Sequence, residues 1–280
     1  MSGDILRDLS QLRSRTRAWR QAGETLAVVP TMGALHAGHL SLVAAAKQRA
    51  ARVIVTIFVN PKQFNSAEDL ANYPRTEEED ARKLGPFNVD AIWVPDGDTV
   101  YPTGFATTVS VAGVTEVMDG VHRPGHFAGV ATVVAKLLLQ TSAELAFFGE
   151  KDFQQLQVVR RMVADLNIPV EVIGCPTVRE DDGLAMSSRN ALLSPKDRPV
   201  AGQLFAEMQT MAEGIRRGGP VPALAAEATS RLTAAGFERV EYLDLRSTED
   251  LAQLIAADRP ARLFAAAHLG SVRLIDNIPV

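Results

Sequence analysis

Residues 25–59, TLAVVPTMGALHAGHLSLVAAAKQRAARVIVTIFV, decide the fold. TLAVVP is a short apolar run that reads as a buried strand. TMGALHAGH follows as a loop and HLSLVAAAKQRA as an alanine-rich helix. RVIVTIFV is a second strand, apolar on both faces. A strand, a helix and a strand in that order call for a right-handed parallel crossover, with helices covering both faces of the sheet.

The pattern continues outward. ILRDLSQLRSRTRAW (5–19) places Ile5, Leu9, Leu12 and Trp19 near one helical face. Downstream, Thr76 precedes Glu79 by three residues, a capping-box signature, and Gly85 can end that helix. VDAIWVP (89–95) reads as a strand and TTVSVAG (107–113) as a further short one. GHFAGVATVVAKLLLQ (125–140) reads as a helix, LAFFG (145–149) as a strand, KDFQQLQVVRRMVADLN (151–167) as a helix, and VEVIGCPTV (170–178) closes the series. Alternation of this kind over such a length indicates an open α/β sheet. The character changes after Val178. REDDGLAMSSRN is a polar loop, two helices are expected over 196–217 and 222–235, and VEYLDL, ARLFAAAHL and VRLIDNIPV read as strands. The expected division is therefore 1–178 and 179–280.

Composition narrows the functional classes. The 280 residues are 46% apolar and 22% charged, enough for a large core without metal or disulfide staples. The net charge of -4 argues against a nucleic-acid partner. The single cysteine, Cys175, sits in an apolar run and is read as a buried thiol in a reducing compartment. No targeting segment is expected, because MSGDILRDLS carries acids early. The most apolar helix, 130–140, is short and holds Lys136, so no membrane span is expected and a cytoplasmic location fits.

Four motifs carry chemistry. In PTMGALHAGH, Gly33 and Gly38 allow close approach to a ligand. His36 and His39, three apart at a helix start, are placed to hydrogen-bond phosphate oxygens beside unpaired amides. Two surface histidines or a zinc pair are the competing readings, and no third ligand or HExxH accompanies them. MSSRN (186–190) sets two hydroxyls and a guanidinium in the polar loop, suited to polyphosphate. In GEKD (149–152), at another strand end, Lys151 can neutralise phosphate charge, and Gln155 lies four residues on, on the same helical face. In FVNPKQF (58–64), Asn60 and Gln63 are neutral donors at a third strand end. Each of the last three, taken alone, also fits a solvated loop or turn.

PTMGALHAGH, FVNPKQF, YPRT, RPGHFAGVATVV, FGEKDFQQ and MSSRN, in this order from about Val28 to Leu193, resemble the pantothenate synthetase (pantoate–β-alanine ligase) family. That family lies in the nucleotidyltransferase superfamily, whose HxGH motif is shared with class I aminoacyl-tRNA synthetases. The resemblance implies a Rossmann-like open parallel sheet with a smaller C-terminal α+β lid domain carrying the MSSRN loop. It implies ATP contacts from Met32, Gly33, Ala34, Leu35, His36, Ala37, Gly38 and His39, with His39 as proton donor. Further ATP contacts are implied at Gly149, Glu150, Lys151, Asp152, Val178, Met186, Ser187, Ser188 and Arg189. Gln63 and Gln155 would hold pantoate, and Gln63 would also lie by β-alanine. His36, His39, Lys151, Ser187, Ser188 and Arg189 would stabilise charge during transfer. Magnesium would bind mainly through ATP phosphates, with Asp80 as one protein candidate, although a solvated helix face is the expectation for Glu77, Glu78 and Glu79. Homodimers are common among relatives. Lys62 departs from the methionine many relatives carry, and either charges the pantoate pocket or points to solvent. Arg123 and His126 either frame the pocket or shape a loop. A nucleotidyltransferase acting on a mononucleotide would share HAGH without needing FVNPKQF. A non-catalytic nucleotide binder would have no need of every donor, and a dinucleotide oxidoreductase lacks its GxGxxG.

Overall fold

Six strands, β1 (Asp4–Leu6), β2 (Leu26–Thr31), β3 (Arg52–Ile57), β4 (Ala91–Trp93), β5 (Leu145–Gly149) and β6 (Glu171–Cys175), pair in parallel in the order β1-β4-β3-β2-β5-β6. This computed structural model describes residues 3–280. The central strands are apolar runs because helices cover both of their faces: Leu26, Ala27, Val28 and Val29 are fully buried. Helices of eight residues or more are α1 (Leu9–Gln21), α2 (Ala37–Arg49), α3 (Glu77–Leu84), α4 (His126–Thr141), α5 (Phe153–Asp165), α6 (Gln203–Arg216) and α7 (Val221–Ala235). Leu42, Val43 and Ala46 of α2 pack with Ala27, Val29, Val53 and Val55 of β2 and β3.

The chain order reverses between β2 and β5. From β2 the strands step to β3 and β4 on one side, whereas β5 and β6 lie on the other. Ligands of open α/β sheets bind at the carboxyl ends of strands flanking such a reversal. The register Ala27↔Leu145 and Val28↔Ala146 makes the ends of β2 and β5 neighbours there.

The chain divides into two compact units. One runs to Gly149 and includes Gln154–Pro176; the other holds Glu150–Phe153 and Thr177–Val280. The second unit is a three-stranded antiparallel sheet, β7 (Arg239–Ser247), β8 (Ala261–Leu269) and β9 (Val272–Pro279), in that order. Met208, Met211 and Ala212 of α6 and Ala228 and Leu232 of α7 share its core with Leu245, Leu263 and Ala265. Among the described residues, no helix is long and apolar enough to cross a membrane.

Local expectations fail where a tertiary partner outweighs the local pattern. Ile5 belongs to β1, not to a helix, and pairs with Ile92; α1 begins later, capped by Asp8, whose carboxylate accepts from Gln11 N at 3.0 Å. Residues 107–113 form no strand: Val109 N donates to the Thr132 hydroxyl at 3.0 Å instead of to a ladder. Thr76 makes no capping box, since its hydroxyl donates to Asp80 at 3.2 Å. Gly85 continues into a short 3-10 turn, and Asn88 ends it at φ 48°. The helix expected over 196–217 is broken, with a single turn at Arg198–Ala201 before α6.

Candidate active site

The loop after β2 is shaped by two consecutive residues at positive φ, Gly33 at 82° and Ala34 at 50°. This turns the amides of Ala34 and Leu35 toward α3. There the buried Asp80 carboxylate accepts both, at 2.9 and 2.7 Å. Gly33 is fitted closely against the same group, because a Cβ there would lie 3.0 Å from Asp80 Oδ2. Lys83 Nζ, one turn further along α3, donates to Leu35 O at 2.7 Å. The carboxylate weighed above for magnesium thus anchors the loop. Among the described residues, no group of three or more His, Cys, Asp or Glu side chains converges to hold a metal.

α2 begins at Ala37 with His36 as its N-cap, two residues earlier than a start at His39. His36 Nδ1 accepts from Gly38 N at 3.2 Å, and His39 Nδ1 accepts from His36 N at 3.4 Å. The two imidazoles therefore make a reciprocal capping box, with ring centroids 4.1 Å apart. A nitrogen that accepts an N–H carries no proton, so both rings are held as Nε2–H tautomers. Each presents an N–H donor at the positive end of a helix, where an anion is favoured. This use of the pair is incompatible with zinc ligation through Nδ1.

At the end of β3, Asn60 is buried and organises the turn Pro61–Gln63. Its oxygen accepts from the Tyr101 hydroxyl at 2.7 Å and Lys62 N at 3.3 Å. Its amide donates to Gln63 Oε1 at 2.9 Å and to Gly129 O at 3.1 Å. These bonds fix the Gln63 amide with its oxygen engaged and its NH2 as the donor it can offer. Burial pushes the Tyr101 hydroxyl well above the usual phenol range, so it remains a donor. Arg123 and His126 serve the same turn: His126 Nδ1 donates to Gln63 O at 2.8 Å, while its Nε2 accepts from Arg123 at 3.1 Å. Gly129 lets α4 approach the turn, since a Cβ there would meet Lys62 O at 2.2 Å.

Lys62 is exposed, the second of the two positions expected for it. Its ammonium lies over the rings of Tyr101 and Phe105, at 5.2 and 5.6 Å from their centroids. Lys62→Met is therefore expected to keep kcat/KM within about threefold, because an exposed cation–π contact is worth only about 0.5–1 kcal/mol. Steady-state kinetics check this, and a loss of tenfold or more would mean that the charge serves the reaction.

The GEKD segment is a 3-10 turn over Glu150–Asp152, with α5 starting at Phe153. Lys151 thus lies in the 3-10 turn, outside the α-helix that holds Gln155. Gln155 is half-buried in the first turn of α5. In the second unit, the backbone folds back on itself between Val178 and Met186, whose N donates to Val178 O at 3.0 Å. Arg179 closes this loop by pairing with the buried Asp276 (Nη2 to Oδ1, 2.9 Å) and stacking on Phe205 at 3.8 Å. Ser187 caps the following turn, accepting from Arg189 N at 3.2 Å, and Met186–Arg189 are half-buried. The acidic run beside them is neutralised: Arg198 bonds both Glu180 and Asp182 and holds the Asp182 carboxyl below the usual carboxylate range. Anion repulsion by that run is thereby reduced.

Sequence patterns missed Asp80 as the loop anchor, along with Lys83, Tyr101 and Gly129. Each acts across a contact distant in sequence, and none has a local signature. The structure joins His36 to His39, Asn60 to Gln63, Val178 to Met186, and Glu150 and Lys151 to the C-terminal strand.

A sequence profile described as pantoate-beta-alanine ligase matches residues 4–279. Pantothenate synthetase of Roseobacter denitrificans is 65% identical over 280 residues, covering 100% of this chain and 99% of the relative. That of Paracoccus denitrificans is 56% identical, covering 100% and 99%. A crystal structure of pantothenate synthetase from Thermus thermophilus is similar with TM-score 0.89 and 43% identity, over 98% of each chain. The Francisella tularensis pantoate-beta-alanine ligase, complexed with beta-gamma ATP and beta-alanine, gives TM-score 0.83 at 33% identity, over 99% of this chain and 97% of that one. A match of this extent, on a fold built around the HAGH and GEKD strand ends, means that the chain belongs to the pantoate–β-alanine ligase family.

Proposed function

We propose that this protein condenses pantoate with β-alanine in two steps driven by ATP. A carboxylate oxygen of pantoate attacks the α-phosphorus of ATP. The P–O bond forms as the bond to the β-phosphate oxygen breaks, giving pantoyl adenylate and pyrophosphate. The amine of β-alanine then attacks the acyl carbon. The acyl C–O bond breaks, AMP leaves, and the new amide gives up a proton as pantothenate forms. The observation that carries this reading is the His36–His39 capping box, two fixed Nε2–H donors at the start of α2 beyond the end of β2.

Residue roles follow from chemistry. His36 and His39 donate to phosphate oxygens whose charge grows as pyrophosphate departs. Lys151, Ser187, Ser188 and Arg189 meet the same charge, Arg189 through its fork. The residues from Met32 to His39, from Gly149 to Asp152, Val178 and Met186 complete the ATP contacts. Gln63 and Gln155 hold pantoate through neutral donors, which position its carboxylate without quenching its charge. Gln63 also lies by the amine substrate. The donor set is cationic or neutral, which suits magnesium carried on the nucleotide; when bound it would screen phosphate charge. A homodimer, as the resemblance implies, is checked by light scattering.

The direct test is a product assay with ATP, magnesium, pantoate and β-alanine. Pantothenate, AMP and pyrophosphate in equal amounts are expected. ADP and phosphate as products, or AMP without pantothenate, would reject the reading.

A further inference from the structure

We infer that Asn277, near the end of the C-terminal strand β9, is a positioning residue for Lys151. The inference rests on the role proposed for Lys151 at the nucleotide. Asn277 is 2% exposed, and its side-chain amide donates to the backbone carbonyls of both Glu150 and Lys151, each at 2.8 Å. One NH2 group thus grips two consecutive peptide units of the turn that carries Lys151.

The amide is itself held. Arg262, on the neighbouring strand β8, donates from Nε to Asn277 Oδ1 at 2.6 Å, which fixes which end of the amide faces the turn. Its Nη1 reaches Glu150 Oε2 at 3.4 Å, and its guanidinium lies over the Phe153 ring at 4.6 Å. Phe153 in turn packs on Phe264, the cross-strand partner of Asn277. The turn is therefore clamped by backbone, carboxylate and ring at once. Three-residue 3-10 turns have poor internal hydrogen-bond geometry and gain definition from such outside partners. Lysine reaches a phosphate through a flexible stem, so the position of its Cα decides where the ammonium can go. A displacement of about 1 Å of a catalytic group costs about 10²-fold in rate.

Asn277→Asp is the informative variant. It keeps the shape and the acceptor facing Arg262, and it removes both N–H donors. Three proteins, Asn277→Asp, Lys151→Ala and the double variant, are compared with wild type by ATP titration calorimetry and by pantothenate kinetics. Asn277→Asp is expected to weaken ATP binding about tenfold, as loss of one charged contact does, and to lower kcat by about 10²-fold. The KM for pantoate should stay within about twofold, since Gln63 is untouched. In the Lys151→Ala background the same substitution should change ATP affinity and kcat by less than about threefold, because a residue acting through another loses its effect when that other is gone. Full ATP affinity and kcat in a folded Asn277→Asp protein, or equal losses in both backgrounds, would overturn the inference. Should Asn277→Asp fail to fold, Arg262→Lys serves in its place with the same cycle, since it removes the fork that orients the amide. Failure of the functional reading has a separate signature: wild type forms no pantothenate, while the ATP titrations still decide the coupling of Asn277 to Lys151.

Discussion

His39→Asn is expected to lower pantothenate formation by about 10²–10³-fold while leaving the fold and the start of α2 intact. Asparagine places Oδ1 where histidine has Nδ1, so it can still accept the His36 N–H that His39 now takes at 3.4 Å. It cannot supply the Nε2–H. The variant therefore separates the cap this side chain makes from the donation toward phosphate proposed for it. Loss of a single preorganised donor at a site of developing charge costs about 10²–10³ in rate. Circular dichroism and melting should match wild type, and kcat/KM carries the readout. A rate near wild type would reduce His39 to a cap and remove it from the chemistry.

Asp80→Asn should damage both stability and activity, although Asp80 touches no reacting group in the scheme. Its two oxygens accept from Ala34 N and Leu35 N, and Asp80 and Leu35 are buried. Asparagine keeps one acceptor and turns an NH2 donor toward the other amide. That leaves a buried donor facing a donor, which costs about 1–3 kcal/mol. A unit of this size should then melt several degrees lower. The loop it anchors holds Gly33 and Ala34 at positive φ and leads straight into the His36 cap, so the donors should shift with it. A fall in kcat of about 10²-fold is expected, with KM for pantoate little changed because Gln63 is anchored separately by Asn60. Unchanged melting and activity would mean that α3 does not hold this loop.

The strand–loop–helix–strand reading of residues 25–59 was legible because each segment is long and its period is clear. The apolar runs of β2 and β3 are buried on both faces, and nothing distant contests them. The C-terminal strands were equally plain. β1 was hidden because three residues show no alternation, and its existence depends on the edge of β4. The stretch 107–113 has the composition of a strand, yet Thr132 takes the amide of Val109. At the site, HAGH was readable from spacing and place. What spacing could not give was how the histidines are held. The reciprocal cap fixes their tautomers, and it needs His36 at the N-cap itself. Asp80 reads as a magnesium candidate, and its anchoring role was hidden because its partners lie 45 and 46 residues away. Lys62 looked like an intrusion because the rings of Tyr101 and Phe105 that receive it come from a distant loop.

The central claim is that pantoate is activated at phosphorus before the amine is needed. In the proposed scheme His36, His39, Lys151 and the Ser187–Arg189 turn all serve as donors to phosphate, and none is an obvious base for direct attack on an unactivated carboxylate. Incorporation of labelled pyrophosphate into ATP tests this most directly. With pantoate and magnesium, and no β-alanine, the wild-type protein should catalyse the exchange, and omission of pantoate should abolish it. Absence of exchange under those conditions, with single-turnover mixing showing that pyrophosphate release is not the slow step, would contradict the account and point to a reaction in which all three substrates must be bound together.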